Sequence, residues 1–190
     1  VVLGDVHEDV SDPEVLAATM EGPKSILGHL RPEEVYVHDL LHFGRRSHHN
    51  VASFNHRYDT RIGDTGMKEC VREEVENAID FLEYRIPKGI KPVVVGSNHD
   101  EALDRWLRES DFRADPINAE FFHEAWLTVL SCRETTKRWI PAFQAVYESL
   151  YECKRAYFLG REEPRKVFDI YLNFHGDKGN NGGRGSAAGY

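Results

Sequence analysis

The stretch that decides the fold is Val1-Val2-Leu3-Gly4-Asp5-Val6-His7, a short apolar run that ends in a carboxylate and an imidazole. The same pattern recurs at His38-Asp39-Leu40-Leu41-His42 and at Ser97-Asn98-His99-Asp100, each of which follows a short apolar run. Such runs are typical of buried parallel strands. Open α/β sheets bind ligands at the carboxyl ends of their strands. The three strand ends therefore predict one site assembled from distant parts of the chain.

Length and composition bound the class of protein. With 190 residues, 41% of them hydrophobic and 29% charged, the chain is long enough for one globular core. It has no apolar run of the roughly 20 residues that a membrane span needs, and no signal-peptide pattern. Cys70, Cys132 and Cys153 form no close-spaced pair, which favours free thiols in a reducing compartment. We therefore expect a single cytoplasmic domain, and a formal net charge of -8 argues against non-specific adhesion to nucleic acid.

The remaining segments alternate between helix and strand signals. Apolar residues at helical spacing predict a helix over 67–86, and capping and proline signals predict helices over 13–20 and around 26–30. An alternating stretch over 166–174 predicts a further strand that delivers His175. A helical insertion at about 101–160 is expected, with helices over 101–110, 116–132 (capped by Asp115) and 139–158.

The residues at the strand ends suit two-metal hydrolysis of a phosphate ester. That reaction needs a bridging carboxylate and further nitrogen and oxygen ligands around two cations about 3.5–4 Å apart. Asp39 can bridge. The other ligand candidates are Asp5, His7, Asn98 and His175. His99 is left to protonate a leaving alkoxide, and its neighbour Asp100 is a carboxylate that can orient the imidazole.

Residues 44–66 predict an extended basic loop in an otherwise acidic protein. Between 44 and 61 the arginines outnumber a single acid, Asp59. Cations beside such a site favour nucleic acid over a small phosphomonoester. The predicted phosphate-binding residues are Arg45, Arg46, Arg57, Arg61 and, in the Gly-rich segment from 176, Lys178. The alternative is a solvated loop whose arginines pair with nearby acids.

In their order, Gly4-Asp5-Val6-His7, Asp39-Leu40-Leu41-His42, Asn98-His99-Asp100 and His175 resemble the motifs of the calcineurin-like metallophosphoesterase superfamily. Within that superfamily, the spacing of Asp39 and His42 is more similar to that of the double-strand-break-repair nucleases of the SbcD type than to that of the protein phosphatases. The resemblance implies a four-layer αββα sandwich and a dinuclear site for manganese, with zinc, iron or magnesium as alternatives. It further implies phosphodiester hydrolysis, with DNA as the expected substrate and His42 as a phosphate-orienting residue.

The resemblance extends to partners and source. It implies a homodimer or an ATPase partner, and a phage-encoded DNase of this kind would act in the host cytoplasm. The chain departs from the family pattern because His38 and Ser97 stand where glycine is usual. The family's final Gly-His-x-His motif is also absent, so we expect a fragment truncated at its C-terminus.

Two other functions remain open at the level of sequence. A phosphomonoesterase or nucleotide hydrolase would use the same ligands, because the ligand set does not encode the size of the substrate. A catalytically inactive, metal-free binding module would keep the same fold. Comparing hydrolysis of diester and monoester substrates distinguishes the nuclease from the phosphomonoesterase or nucleotide hydrolase. A metal titration that shows no bound metal identifies the binding module.

Overall fold

The computed structural model describes residues 1–8, 11–46, 70–160, 163, 165–167 and 169–172. Within these ranges the elements, in chain order, are β1 (Val2–Leu3), α1 (Pro13–Met20), α2 (Ile26–Leu30), β2 (Glu34–His38), α3 (Val71–Asp80, continued by a π-helical segment over Phe81–Arg85), β3 (Lys91–Val95), α4 (Glu101–Glu109), a 3-10 turn (Phe112–Ala114), α5 (Ala119–Thr136), α6 (Ala142–Ala145, continued by a π-helical segment over Val146–Leu150), β4 (Tyr157–Leu159), β5 (Arg165–Val167) and β6 (Ile170–Leu172).

Four strands form a parallel sheet in the order β1-β2-β3-β4. Tyr36 of β2 pairs with Val2 on one side and with Val93 on the other, and Val93 pairs in turn with Tyr157. Because all four strands are parallel, their carboxyl ends lie at the same edge of the sheet. The segments that follow β1, β2 and β3 therefore meet there, as the sequence predicts. The fold is α/β, with helices flanking the sheet.

The two faces of the sheet are covered differently. Val35, Val37 and Val94 point into the main hydrophobic core, which the helices complete. Tyr36, Val93, Val95 and Leu159 form a separate cluster on the opposite face, where Val167 of β5 packs against it. Strands β5 and β6 form their own antiparallel two-stranded sheet. A β-hairpin thus lies against the sheet face opposite the main core.

Polar contacts fix this hairpin to the sheet. Arg165 of β5 donates hydrogen bonds to the Glu34 carboxylate at 2.6 Å and to the Tyr36 hydroxyl at 3.0 Å. Tyr36 also donates to Glu34 at 2.7 Å. The three side chains form a closed set of charge-assisted bonds between the two sheets.

The predicted helices before β3 are confirmed. Asp12 caps α1 by accepting hydrogen bonds from the N–H groups of Glu14 at 2.8 Å and Val15 at 3.4 Å, with Pro13 in the first turn. The long helix over 67–86 corresponds to α3 and its π-helical continuation, which end at Arg85. Residues 67–69 lie outside the described ranges.

The predicted helix over 116–132, capped by Asp115, is displaced in the structure. Helix α5 begins at Ala119 and ends at Thr136, with Asn118 as its cap residue. Asp115 does not cap it, because its carboxylate accepts hydrogen bonds from the Arg46 guanidinium and the Asn118 amide. The three residues after Asp115 instead form a turn that precedes the helix.

The predicted helix over 139–158 is wrong in its second half. The helical segment ends at Leu150, and Tyr157–Leu159 forms β4 of the parallel sheet. Arg155 accounts for the change of direction, because its guanidinium donates to five backbone carbonyls between Leu82 and Ile90, at 2.7–3.1 Å. These bonds hold the chain beside β3, so β4 can pair with it.

The predicted single strand over 166–174 is a hairpin in the structure. Arg165–Val167 and Ile170–Leu172 pair with each other and do not join the parallel sheet. An ion pair between Lys166 and Asp169, at 3.0 Å, spans the turn. His175 lies outside the described residues.

Two class predictions can be compared with the structure. Cys70, Cys132 and Cys153 are free, as expected, but they are half-buried, whereas the sequence predicts buried thiols. Among the described residues no helix is long and apolar enough to cross a membrane.

Candidate functional site

The candidate site lies at the carboxyl edge of β1, β2 and β3. Backbone hydrogen bonding continues past the ends of the first two strands, because Val6 N–H donates to the His38 carbonyl at 3.2 Å and His7 N–H donates to the Asp39 carbonyl at 2.7 Å. This ladder places the segment that carries Asp5 and His7 directly beside the segment that carries Asp39. Two of the three predicted ligand groups are therefore brought together by main-chain bonds.

Three of the predicted metal ligands have a left-handed backbone. The φ angles are 49° at Asp5, 41° at His7 and 51° at Asp39. Non-glycine residues adopt this region rarely, and such strained positions cluster at functional sites. The concentration of three at one sheet edge marks this edge as the candidate site.

Three imidazoles meet at the same edge. The His7 ring makes edge contacts with the His42 ring, at 5.2 Å between centroids, and with the His99 ring, at 4.5 Å. Burial lowers the pKa of His7, and the charges of His99 and His42 lower it further, against the opposing charges of Asp39 and Asp5. His7 is therefore biased toward the neutral form, which is the form that binds metals.

Asp100 links two of the loops that form the site. Its carboxylate accepts hydrogen bonds from Leu41 N–H, at 3.1 Å, and from the Ser97 hydroxyl, at 2.8 Å. Burial raises the pKa of Asp100 to about 7, although both hydrogen bonds oppose the shift. The sequence predicts that Asp100 orients His99, but both carboxylate oxygens bind other groups. Asp100 instead joins the loop after β2 to the loop after β3.

The position of His42 depends on a glycine. A Cβ atom at Gly44 would lie 2.5 Å from His42 Cδ2 and 2.8 Å from Nε2, so only glycine allows the ring to pack there. Gly44 N–H donates to the buried Glu74 carboxylate of α3 at 2.9 Å. Gly44 and Glu74 therefore hold the loop that carries His42. Nothing in the residue types alone points to either position, because the partners are 30 residues apart.

The predicted phosphate-binding arginines that the structure describes are paired with acids. Arg45 donates to the Glu73 carboxylate at 2.6 Å. Arg46 binds Asp115 through two hydrogen bonds, at 2.7 and 2.9 Å. These acids belong to α3 and to the segment before α5, so both arginines are held against the body of the domain, and their binding to substrate stays a prediction. The other predicted residues of this group, Arg57, Arg61 and Lys178, lie outside the described ranges.

The donor types at this edge fit a divalent metal. The Nδ1 atoms of His7 and His42 are buried and have no hydrogen-bond partner among the described residues. Carboxylates and neutral imidazoles are common ligands of first-row divalent cations. The described residues nevertheless include no group of three or more His, Cys, Asp or Glu side chains placed to hold a metal ion. Asn98 lies in the turn after β3, beside His99.

Comparison with known proteins finds a phage protein and several oligoribonucleases. Protein A1 of Escherichia phage T5 is 28% identical over 191 residues, which cover 96% of this chain and 33% of that protein. The oligoribonuclease of Shewanella oneidensis is 30% identical over 95 residues, covering 45% of this chain and 48% of the relative. The oligoribonuclease of Vibrio campbellii is 31% identical over 81 residues, covering 43% and 40%.

The chain thus spans about a third of the phage protein and less than half of each oligoribonuclease. No family model and no solved structure matches the chain.

Proposed function

We propose that this chain contains the site of a metal-dependent phosphodiester hydrolase, a nuclease with a dinuclear metal site. The observation that carries the proposal is the meeting of three imidazoles, from His7, His42 and His99, with the carboxylates of Asp5 and Asp39 at one sheet edge. The similarity to proteins named oligoribonuclease supports a nuclease over other hydrolases.

The proposed fold is the αββα sandwich of the calcineurin-like metallophosphoesterases, in the branch of the SbcD-type nucleases. Its support is the order of layers in the described chain. Helices complete the core on one face of the parallel sheet, and a second, antiparallel sheet packs on the other face. Sheet-on-sheet packing of this kind requires apolar residues on both faces of the first sheet, as β2 and β3 have.

The residues that would hold two divalent cations, manganese first, are Asp5, His7, Asp39, Asn98 and His175. When bound, the cations supply charge stabilisation for the phosphoryl group and a more acidic water. His99 donates a proton to the leaving alkoxide, and its edge contact with His7 holds its ring at the site. His42, packed on Gly44, steadies the phosphate. Asp100 acts as a positioning residue.

The substrate that we propose is nucleic acid, with DNA first. Three further predicted phosphate-binding residues, Arg57, Arg61 and Lys178, lie outside the described ranges and stay part of the proposal. Arg45 and Arg46 support the loop through their ion pairs with Glu73 and Asp115. Binding should therefore depend on salt mainly through residues other than this pair.

The test compares bis-p-nitrophenyl phosphate with p-nitrophenyl phosphate as substrates, with manganese added after removal of metals by a chelator. We expect diester hydrolysis that the chelator abolishes and manganese restores, and that His99→Ala lowers. A preference for the monoester would replace the proposal with the phosphomonoesterase or nucleotide hydrolase.

A second candidate is a metal-free binding module. It is favoured by the finding that the described residues present no ready group of three metal-binding side chains. Isothermal titration with manganese distinguishes the two. Heat of binding that Asp39→Asn removes supports the hydrolase, and its absence in the unaltered chain supports the module.

A further inference from the structure

A cavity of about 400 Å³ runs along α4, directly after the turn that carries Asn98 and His99. Its lining residues are Glu101, Asp104, Arg105, Arg108, Trp139 and Pro141. The four residues from α4 follow the spacing of one helix face. At 1.5 Å per residue this face is about 10 Å long, and it begins next to the candidate site. The volume suits a nucleobase, since small-molecule pockets begin at roughly 300 Å³.

Trp139 forms the apolar wall of this cavity together with Pro141. The indole is 49% exposed, although tryptophan is a residue that folded proteins bury extensively. An exposed indole is a suitable surface for stacking, because every nucleobase has an aromatic face.

Asp104 provides a polar group within the same cavity. Its side chain is only 8% exposed, and one carboxylate oxygen accepts a hydrogen bond from Ala142 N–H at 3.0 Å. The other oxygen, Oδ1, is buried and has no hydrogen bond of ordinary length and angle, although the Trp139 side chain makes a weaker hydrogen-bonding contact with the carboxylate. A buried acceptor with no donor costs about 1–3 kcal/mol, and one with only a weak donor contact keeps part of this cost. A ligand that carries an N–H group would remove this cost.

The groups that shift the pKa of Asp104 show which side chains lie near its carboxylate. Burial raises the pKa of Asp104, while the hydrogen bond from Ala142, the charge of Arg108 and the hydrogen-bonding contact with Trp139 oppose the rise. Trp139 and Arg108 therefore lie close to the carboxylate. The exposed Arg108 guanidinium can pair with a phosphate on the solvent side of the cavity.

We propose that this cavity is a nucleobase subsite for single-stranded nucleic acid. The base stacks on Trp139 and donates an N–H to Asp104 Oδ1, and Arg108 contacts a phosphate. A strand without a partner is required, because in a duplex the faces of a base are stacked on its neighbours and its Watson–Crick edge is bonded to the opposite base. The inference rests on the proposed nuclease function, because the cavity lies along the helix that begins just after His99, the proposed general acid.

The test is equilibrium binding by fluorescence anisotropy in a His99→Ala background. The probes are a short labelled oligodeoxyadenylate and an abasic phosphodiester chain of equal length. Trp139→Ala should weaken binding of the adenylate about tenfold or more and leave binding of the abasic chain unchanged. Trp139→Phe keeps an aromatic face, so it should retain most of the adenylate affinity of the unaltered chain. That result would also show that a substitution at this position leaves the protein folded.

Tyr84→Ala is the matched control, because Tyr84 is a 79% exposed aromatic residue that lines a separate cavity at the opposite edge of the sheet. It should change neither affinity. Equal weakening of both probes by Trp139→Ala, an equal effect of Tyr84→Ala, or no binding of adenylate would overturn the subsite.

Failure of the subsite and failure of the proposed function give different results. Manganese-dependent hydrolysis of bis-p-nitrophenyl phosphate combined with an unchanged adenylate affinity in Trp139→Ala rejects the subsite alone. A Trp139-dependent adenylate affinity without diester hydrolysis rejects the hydrolase and keeps the subsite.

Discussion

The Asp100 carboxylate accepts a hydrogen bond from the backbone N–H of Leu41, 59 residues earlier in the chain, at 3.1 Å. This bond joins the loop that carries Asp39 and His42 to the loop that carries Asn98 and His99. Four of the residues proposed for the site, Asp39, His42, Asn98 and His99, lie in these two loops, so this buried carboxylate helps to fix their relative position.

Asp100→Ala should destabilise the protein and lower its activity. The substitution leaves Leu41 N–H and the Ser97 hydroxyl without an acceptor, and each unsatisfied buried group costs about 1–3 kcal/mol. Urea denaturation should show a loss of about 2–6 kcal/mol in the free energy of unfolding. Asp100→Asn keeps an oxygen for Leu41 and should lose much less. Equal losses for the two variants would contradict the linking role.

Gly44→Ala should lower turnover by displacing the His42 ring, because the new Cβ would meet ring atoms at 2.5 and 2.8 Å. A double-mutant cycle, measured on diester hydrolysis, tests this prediction. In a His42→Ala background, Gly44→Ala should have no further effect, since there is no ring to displace. Additive losses would mean that Gly44 acts on the loop without His42.

Arg46→Ala should weaken the fold in a pH-dependent manner and leave nucleic acid binding intact. Burial alone would raise the pKa of Asp115, but hydrogen bonds from Arg46 and Asn118 lower it below its usual value. A carboxylate with a lowered folded-state pKa stabilises the protein above its unfolded-state pKa and loses that effect as the pH falls through the folded-state pKa.

We therefore expect Arg46→Ala to cost about 1–2 kcal/mol at neutral pH, after allowance for solvent screening, and progressively less below about pH 4. Thermal or urea unfolding across pH measures this difference. The salt dependence of oligonucleotide binding should be the same in Arg46→Ala and the unaltered chain. A flatter slope would place Arg46 among the substrate-binding residues.

The strand ends could be predicted from sequence because their signals are local. The apolar runs before Asp39 and Asn98 indicate buried strands, and the recurrence of the same polar ending after Val1-Val2-Leu3 indicates a third strand beside them; parallel pairing then brings the three ends together. The Asp12 cap and the spacing of α3 are likewise visible within one segment.

The features that the sequence did not indicate depend on distant partners. Tyr157–Leu159 is too short for periodicity to separate strand from helix, and pairing with β3 decides its state. Arg45 and Arg46 read as free cations because their acids, Glu73 and Asp115, are 28 and 69 residues away. Hydrogen-bond partners at such separations follow from the tertiary fold, so residue types alone cannot supply them.

The most direct test of the central claim is to measure metal content and turnover together for Asp39→Asn and His99→Ala. If Asp39 bridges the two proposed cations, its loss would leave them repelling each other at short range, so Asp39→Asn should lose bound manganese and diester hydrolysis together. His99→Ala should retain the manganese of the unaltered chain while turnover falls by about 10²- to 10⁴-fold, as expected for a general acid. Normal turnover in either variant, or unchanged manganese content in Asp39→Asn, would contradict the account.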